Sequence, residues 1–283
     1  MTSTLATPPT DVQPNGERGP APRNGAARPV AIILIAIGAL VLLGTVANAI
    51  VSTVLGASRS TESTTADARG LTAFDIDAAD GRVAVVFDDV DEAVLEVTGN
   101  ASGGWTLERV DDTLRVASPS TFLGWWGSRG QTEVTLTLPA ELEDAALDAD
   151  FSLSAGEIVA SGTFGDLVVE VGAGSLQLDG SADALDLELS AGRADVELAN
   201  LSRAALSVAA GRAVTSFTGN APDSVEIDVS AGSLDLTLPV ARYDVRSDVS
   251  AGSLDNDLDT SAGASNEVSV TVSAGSVRLD SAR

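Results

Sequence analysis

A tripeptide returns seven times between two short alternating apolar runs in the C-terminal half of the chain, and this repeat constrains the fold more than any other feature. It reads Ser-Ala-Gly in five copies, and Gly-Ala-Gly and Ala-Ala-Gly in the other two. Its glycines are Gly156, Gly174, Gly192, Gly211, Gly232, Gly252 and Gly275. Successive glycines are 18 to 23 residues apart, a spacing typical of stacked supersecondary units.

Apolar residues recur with a period of two on both sides of each glycine. Five residues before the glycine, every copy has an apolar residue except one, which has Ser247. Three residues before it stand Leu153, Val171, Leu189, Val208, Val229, Val249 and Val272, all aliphatic. Asp, Glu, Ser, Thr and Arg fill most of the positions between. A period of two with one apolar face predicts short, half-buried β-strands.

One pair of such strands cannot bury its apolar face alone, but stacked repeats can bury theirs together. We therefore predict an all-β fold, a single-stranded β-solenoid (β-helix-like) preceded by one transmembrane helix. The glycine motif would form the corner between two strands, because glycine leaves room where neighbouring repeats crowd together. We interpret the seven glycines as structural corners and not as a ligand site.

Composition excludes several classes of function. The chain has no Cys, no His and no Lys, so the commonest metal ligand and general base are missing. Its net charge of -25 is unfavourable for binding nucleic acid and favours cationic partners. We predict no metal site, no cofactor and no nucleic-acid partner. The simpler explanation, which we favour, is that the acidic residues fill outward strand positions and keep the protein soluble.

The N-terminal region has the pattern of a membrane anchor. Residues 1–28 are rich in Pro, Ala and Gly and predict a disordered cytoplasmic tail. Residues 29–54 include an uncharged apolar run long enough to span a bilayer, so we predict a transmembrane helix and a single-pass protein in the cell membrane. Arg residues before this run place the N-terminus inside. A secretory signal peptide cleaved after Ala49 is the alternative.

Residues 55–70 are rich in Ser and Thr and predict a flexible stalk. We place the extracytoplasmic domain at 71–283, with an irregular first part at 71–140 and the repeats at 141–283. Alternation in the first part predicts strands at 71–76, 82–87, 93–98, 105–110, 113–117 and 132–138.

One loop in the first part of the domain contains large aromatic residues that could be exposed. Phe122, Trp125 and Trp126 lie in a Gly- and Ser-rich loop at 118–131. Such a pair of Trp side chains could stack on sugar rings, touch the outer leaflet of the membrane or anchor a partner protein. We favour by a small margin the alternative that they fold back and cap the open end of the domain. They are the best candidate contact residues in the sequence.

The sequence offers little for catalysis. A Ser nucleophile would have no His or Lys base, and no nucleophile elbow or phosphate-binding loop is present. The nearest acidic clusters are Asp255-Asn256-Asp257 with Asp259, and Asp195 beside Glu197, and neither has the spacing of a Ca²⁺ loop. We interpret both as solvated surface and predict that the protein is not an enzyme.

Three stretches resemble the bacterial putative-adhesin family, a β-strand-repeat domain of unknown function in envelope proteins. They are Asp80-Gly81-Arg82-Val83-Ala84-Val85, the strand Val134 to Leu138 that ends at Pro139, and the Ser-Ala-Gly units after it. The resemblance covers about 70 to 283 and implies an all-β, solenoid-like domain in envelope proteins, often next to a membrane segment. It implies no particular functional residues.

These observations together predict a membrane-anchored, non-catalytic binding or scaffolding surface. Its partners would be the membrane itself through the single-pass anchor, and a cell-wall glycan or an envelope protein. An accessory or sensory subunit of an envelope-stress response is the first alternative. A polysaccharide-acting enzyme that depends on Asp255 or Asp257 is the second.

Overall fold

The computed structural model describes residues 60–99, 104–119 and 132–282. The chain divides into two compact units, Met1–Thr53 and Val54–Arg283, and the described residues all belong to the second. The predicted tail at 1–28 and the predicted transmembrane helix at 29–54 lie outside them. Among the described residues, no helix is long and apolar enough to cross a bilayer. The transmembrane helix and the single-pass membrane localisation predicted from 29–54 therefore find no support in the described residues, and neither is proposed again.

The described residues form a mixed sheet of 16 strands. The strands are β1 (Ser60–Ala66), β2 (Ala73–Ala78), β3 (Arg82–Asp88), β4 (Ala93–Gly99), β5 (Thr106–Val110), β6 (Thr113–Ala117), β7 (Glu133–Pro139), β8 (Leu147–Ala199), β9 (Arg203–Thr218), β10 (Ser224–Val229), β11 (Ser233–Leu238), β12 (Arg242–Val249), β13 (Ser253–Asn256), β14 (Asp259–Thr260), β15 (Asn266–Val272) and β16 (Ser276–Ser281). A single 3₁₀ turn, Ala140–Leu142, is the one helical element in the described part of the chain.

The prediction of a single-stranded β-solenoid is wrong, because the sheet mixes two pairing modes. Strands β1 and β4, β4 and β7, and β5 and β6 pair antiparallel. The remaining strand pairs are parallel. A short turn at Asp111-Asp112 joins β5 to β6, and Asp111 has a positive φ of 57° there. A local turn of this kind reverses the chain at once, whereas parallel pairing needs a long return connection.

In the first part of the domain, the six predicted strands are all present with bounds shifted by up to two residues. One further strand, β1, falls inside the predicted stalk. It pairs with β4 along its whole length, from Ser60 opposite Gly99 to Ala66 opposite Ala93. Ser and Thr suit an outer strand, because one face and one edge remain in water.

In the second part, each repeat carries the chain once along the sheet, which we call one strand pass. Strand passes that are one repeat apart lie side by side. The long strand β8 contains three of the repeat glycines, and a Cβ added at Gly174 or Gly192 would overlap the backbone of the preceding glycine. The Ser181 hydroxyl also donates to the Thr163 hydroxyl, 18 residues earlier, at 3.3 Å. The repeat glycines therefore form one column, which begins with Gly81 against Gly156.

The final strands do not follow chain order. Strand β15 pairs with β10 on one side and with β12 on the other, so it lies between two strands that precede it. Strand β16 likewise pairs with both β11 and β13. As a result β12 and β13 lie outside the C-terminal strands β15 and β16 at this end of the sheet, and the two-residue strand β14 lies outside the start of β12.

The core consists of the inward side chains of all passes. The predicted aliphatic positions are buried in every copy except the one in β12, where Val249 is 38% exposed. Near the start of the repeats, Phe74, Phe151 and Phe164 pack with ring centroids 5.6 to 6.4 Å apart. Contacts between rings at these distances add to the burial of their apolar surface. The outward residues of the same strands stand in register on the surface.

Candidate binding groove

Outward side chains form rows across the parallel strands, because each pass repeats the same register against the glycine column. One row lies four residues before each glycine and contains Ser152, Glu170, Glu188, Ser207, Asp228, Asp248 and Thr271. Neighbours in such a row are about 4.8 Å apart, the spacing of paired strands. Carboxylates and hydroxyls of different passes are thereby brought next to each other.

A groove of about 190 Å³ crosses three passes in this row. Its lining residues are Ser152, Leu153, Ser154, Glu170, Val171, Gly172, Glu188 and Ser190. We call it the carboxylate groove. Leu153 and Val171 are buried, while the Glu170 and Glu188 side chains stand on the exposed strand face. The groove therefore offers two adjacent carboxylates and three hydroxyls to a ligand.

Gly172 helps to shape the groove. It stands two residues before Gly174, and the equivalent positions in the neighbouring passes carry Ser154 and Ser190. A Cβ at Gly172 would lie 2.8 Å from the backbone oxygen of Ser154, too close for an ordinary contact. The missing side chain keeps the two passes together and leaves space between the two serines.

The potential beside the groove is negative. The pKa of Asp150 is raised from its ordinary value near 3.8. Desolvation is the largest cause although the residue remains accessible to water, and the charges of Asp75, Glu170 and Asp77 add to it. One cation stands at the border, where Arg115 pairs with Asp75 at 3.1 Å. Within the described ranges, neither Glu170 nor Glu188 forms an ion pair.

The aromatic residues predicted as contacts are not part of this site. Phe122, Trp125 and Trp126 lie outside the described residues, so their role stays a prediction. The third tryptophan, Trp105, precedes β5 and is buried, with 8% of its surface exposed. It contributes to the core and not to a contact surface.

The acidic clusters singled out in the sequence remain on the surface and apart. Asp255 forms an ion pair with Arg278 at 2.9 Å, and Asp259 pairs with Arg242 at 3.7 Å. The Asn256 side chain accepts from the Leu258 N–H and so serves a turn. Among residues 60–99, 104–119 and 132–282, no three acidic side chains are close enough together to hold a metal ion. The arrangement fits a solvated, partly ion-paired surface.

Sequence reasoning missed the carboxylate groove although its signal is present in the repeat. Aligning the copies on their glycines places Glu170 and Glu188 at the same position in consecutive copies. Parallel, in-register passes turn that coincidence into contact. The alignment does not reveal that Gly172 leaves the space for the groove. One missing side chain has this effect only when the neighbouring strand passes are packed together.

No protein-family model and no curated protein matches the chain. Several solved structures are similar to it. A putative cell adhesion protein from Clostridium sporogenes is 15% identical with a TM-score of 0.36, over 80% of this chain and 100% of that chain. A putative adhesin from Bacteroides fragilis is 14% identical with a TM-score of 0.44, over 78% and 98%.

A putative lipid binding protein from Parabacteroides distasonis is also similar, at 15% identity and a TM-score of 0.39, over 78% of this chain and 96% of that chain. The names of the Clostridium and Bacteroides proteins agree with the resemblance to the putative-adhesin family seen in the sequence.

Proposed function

We propose that this protein is a non-catalytic binding protein whose carboxylate groove holds positively charged groups of a polymeric partner. An amine-bearing glycan and a basic segment of a protein share the required chemistry, namely cationic groups on an extended chain. The observation that carries the proposal is the side-by-side position of Glu170 and Glu188 in a groove with three hydroxyls.

The charge distribution supports this choice of partner. Neighbouring carboxylates on one strand face repel each other, and a bound ammonium or guanidinium group relieves that repulsion. Next to the groove, desolvation is the largest cause of the raised pKa of Asp150, and the negative charges of Asp75, Glu170 and Asp77 add to it. With 41 acidic and 16 basic residues, the chain as a whole also attracts cationic polymers over longer distances.

A binding role fits the residue types better than catalysis does. Carboxylates and hydroxyls are the only reactive side chains that line the groove. General acid-base chemistry near neutral pH usually needs His, Lys or a carboxyl group with a strongly raised pKa, and the sequence has neither His nor Lys. Binding of a cationic ligand through hydrogen bonds and charge neutralisation needs only the carboxylates and hydroxyls that line the groove.

The proposal can be tested with the full chain and two matched ligands. Chitosan oligosaccharide carries free amines, and N-acetylated chitin oligosaccharide of equal length is its neutral counterpart. We expect calorimetry to detect chitosan binding, and we expect Glu170→Gln/Glu188→Gln to weaken it about fivefold or more, since two direct charge contacts are lost. A decalysine peptide tests the protein-like version of the same chemistry.

Asp195→Asn/Glu197→Gln is the matched control. These residues are exposed on β8 just after Gly192, and the variant removes the same number of charges as the groove variant. Equal weakening by both double variants would mean that net charge alone attracts the polymer. Equal binding of the acetylated and free-amine oligosaccharides would also contradict the proposal.

A further inference from the structure

We propose that a second copy of this chain pairs with the open edge of strand β12, antiparallel and around a two-fold axis at Ser247. The proposal is independent of the carboxylate groove. It rests on the length of the open edge, the direction of its backbone groups and the order of its charges.

The open edge of β12 is short and has two definite limits. On one side β12 pairs with β15 from Tyr243 to Val249. On the other side β14 pairs only with Arg242 and Tyr243, and after Val249 the chain bends at Ser250. Among the described residues, no strand pairs with Val245 to Val249 on this side. Ser247 is the centre of this five-residue stretch.

Backbone hydrogen bonds show which groups face the open edge. Ser250 donates its N–H to the Val272 oxygen in β15, and Tyr243 accepts from the Ser261 N–H on the opposite side, both at 2.9 Å. Peptide groups alternate sides along a strand. The N–H and C=O groups of Val245, Ser247 and Val249 therefore point to the open edge, where a partner strand could bond them.

An antiparallel partner centred on Ser247 satisfies all three of these residues. Ser247 would face the partner's Ser247 and Val245 would face the partner's Val249, and both are hydrogen-bonded pairs. Val249 is 38% exposed, and the same position in the other six repeats is buried. Pairing would cover this valine with another valine from the facing strand.

The order of charged residues along β12 favours the register centred on Ser247 over the registers centred on the residues next to it. With the axis at Ser247, Arg246 stands opposite the partner's Asp248, and the symmetry produces this pair twice. An axis at Arg246 or at Asp248 would instead place that residue opposite its own copy, and like charges directly opposite each other are destabilising. Arg246 already contacts Asp244 at 2.8 Å and Glu267 at 3.4 Å, but its five N–H donors leave room for one more carboxylate.

Sedimentation equilibrium of the full chain tests the proposal. Because only five residues pair, we expect a weak dimer that forms as the concentration rises toward about 1 mM. Asp248→Arg and Arg246→Asp should each weaken dimerisation roughly tenfold or more, since each places like charges opposite one another twice. Circular dichroism should show both variants folded.

Mixing separates this interface from any other association. An equimolar mixture of Asp248→Arg and Arg246→Asp should form heterodimers, because every facing pair is then again of opposite charge. The double variant Arg246→Asp/Asp248→Arg should regain the homodimer for the same reason. Arg212→Asp/Asp235→Arg, which reverses an exposed ion pair away from the edge, should dimerise like the unmodified chain.

A monomer at every concentration overturns the proposal. So does a dimer that neither single variant weakens, or a mixture of the two single variants that remains monomeric.

Discussion

Gly252 packs against the backbone of Gly275 and not against that of Gly232, the repeat glycine that precedes it in the chain. Gly275 in turn packs against Gly232. The last repeat is thus inserted between two earlier ones, and the repeat with the polar inward residue Ser247 is left at the end. Burial explains the preference, because the end position leaves its inward side chains half exposed, and a serine there costs less than it would inside.

Gly192→Ala should destabilise the domain strongly. Gly192 has a φ of 126°, and a Cβ there would overlap the Gly174 carbonyl oxygen. We expect a loss of about 3 kcal/mol or more in the free energy of unfolding, measured by urea denaturation. Gly70→Ala is the control, since Gly70 also has a positive φ of 67° but has no atom within 4 Å of the added Cβ. Equal losses in the two variants would show that the glycine column does not need close backbone contact.

Thr215→Val should stabilise the domain. Thr215 is 1% exposed, and its hydroxyl has no hydrogen-bond partner among the described atoms. Valine has nearly the same shape and removes the buried polar group, so we expect a gain of about 1 kcal/mol in urea unfolding. The exposed Thr271→Val should leave stability within about 0.5 kcal/mol of its original value. A loss of stability in Thr215→Val would mean that the hydroxyl is satisfied.

Asp150→Asn should raise stability at neutral pH and not at low pH. Burial and neighbouring charges raise the pKa of Asp150 in the folded state, so the folded state holds its proton more tightly than the unfolded state does. The ionised carboxylate is therefore a cost of folding at neutral pH. That cost disappears as the pH falls below the ordinary value near 3.8.

Urea midpoints of the Asp150→Asn variant and the unmodified chain, measured across this pH range, check the prediction. Asp186→Asn is the matched control, because Asp186 also lies six residues before its glycine but has the uncharged Ala205 beside it. A gain that persists at low pH would trace the effect to something other than charge.

Tyr243 should ionise at a higher pH than an ordinary tyrosine, and its side chain should stabilise the end of the sheet. Its buried hydroxyl donates to the Pro239 oxygen at 2.8 Å, and burial raises its pKa to about 12. Because Tyr243 is the only tyrosine in the chain, tyrosinate absorbance reports it alone. We expect a midpoint near 12 in the folded protein and one near 10 in urea.

The same shift makes stability fall as the pH rises from about 10 toward 12, because only the unfolded state ionises freely in that window. Tyr243→Phe should lose about 1 kcal/mol at neutral pH, with the Pro239 oxygen left unpaired, and should lack this alkaline decline. A tyrosinate midpoint that does not change on unfolding would contradict the assignment.

Except for β1, which lies in the predicted stalk, the amino-acid pattern alone was enough to find the strands of the first part and the inward residues of the repeats. Alternation around each glycine predicted which side chains are buried, and the structure confirms this in every repeat but the one at the end. These features depend only on the period of two and on the size of glycine, which are local properties. In the sequence, Ser247 was the one polar residue at a position that is apolar in the other repeats, and its repeat is the one that stands at the edge of the sheet.

Tertiary structure decided the antiparallel pairs of the first part, the inserted last repeat and the carboxylate groove. All repeats present nearly the same aliphatic faces, so alternation does not state which repeat lies beside which. The choice depends on competition for an interior place between two strands. The inward face of Val245 to Val249 includes Ser247, whereas every inward residue of Val268 to Val272 is a valine. Sequence periodicity fixes what each strand buries, whereas the neighbour of each strand is set by the free energy of the whole assembled sheet.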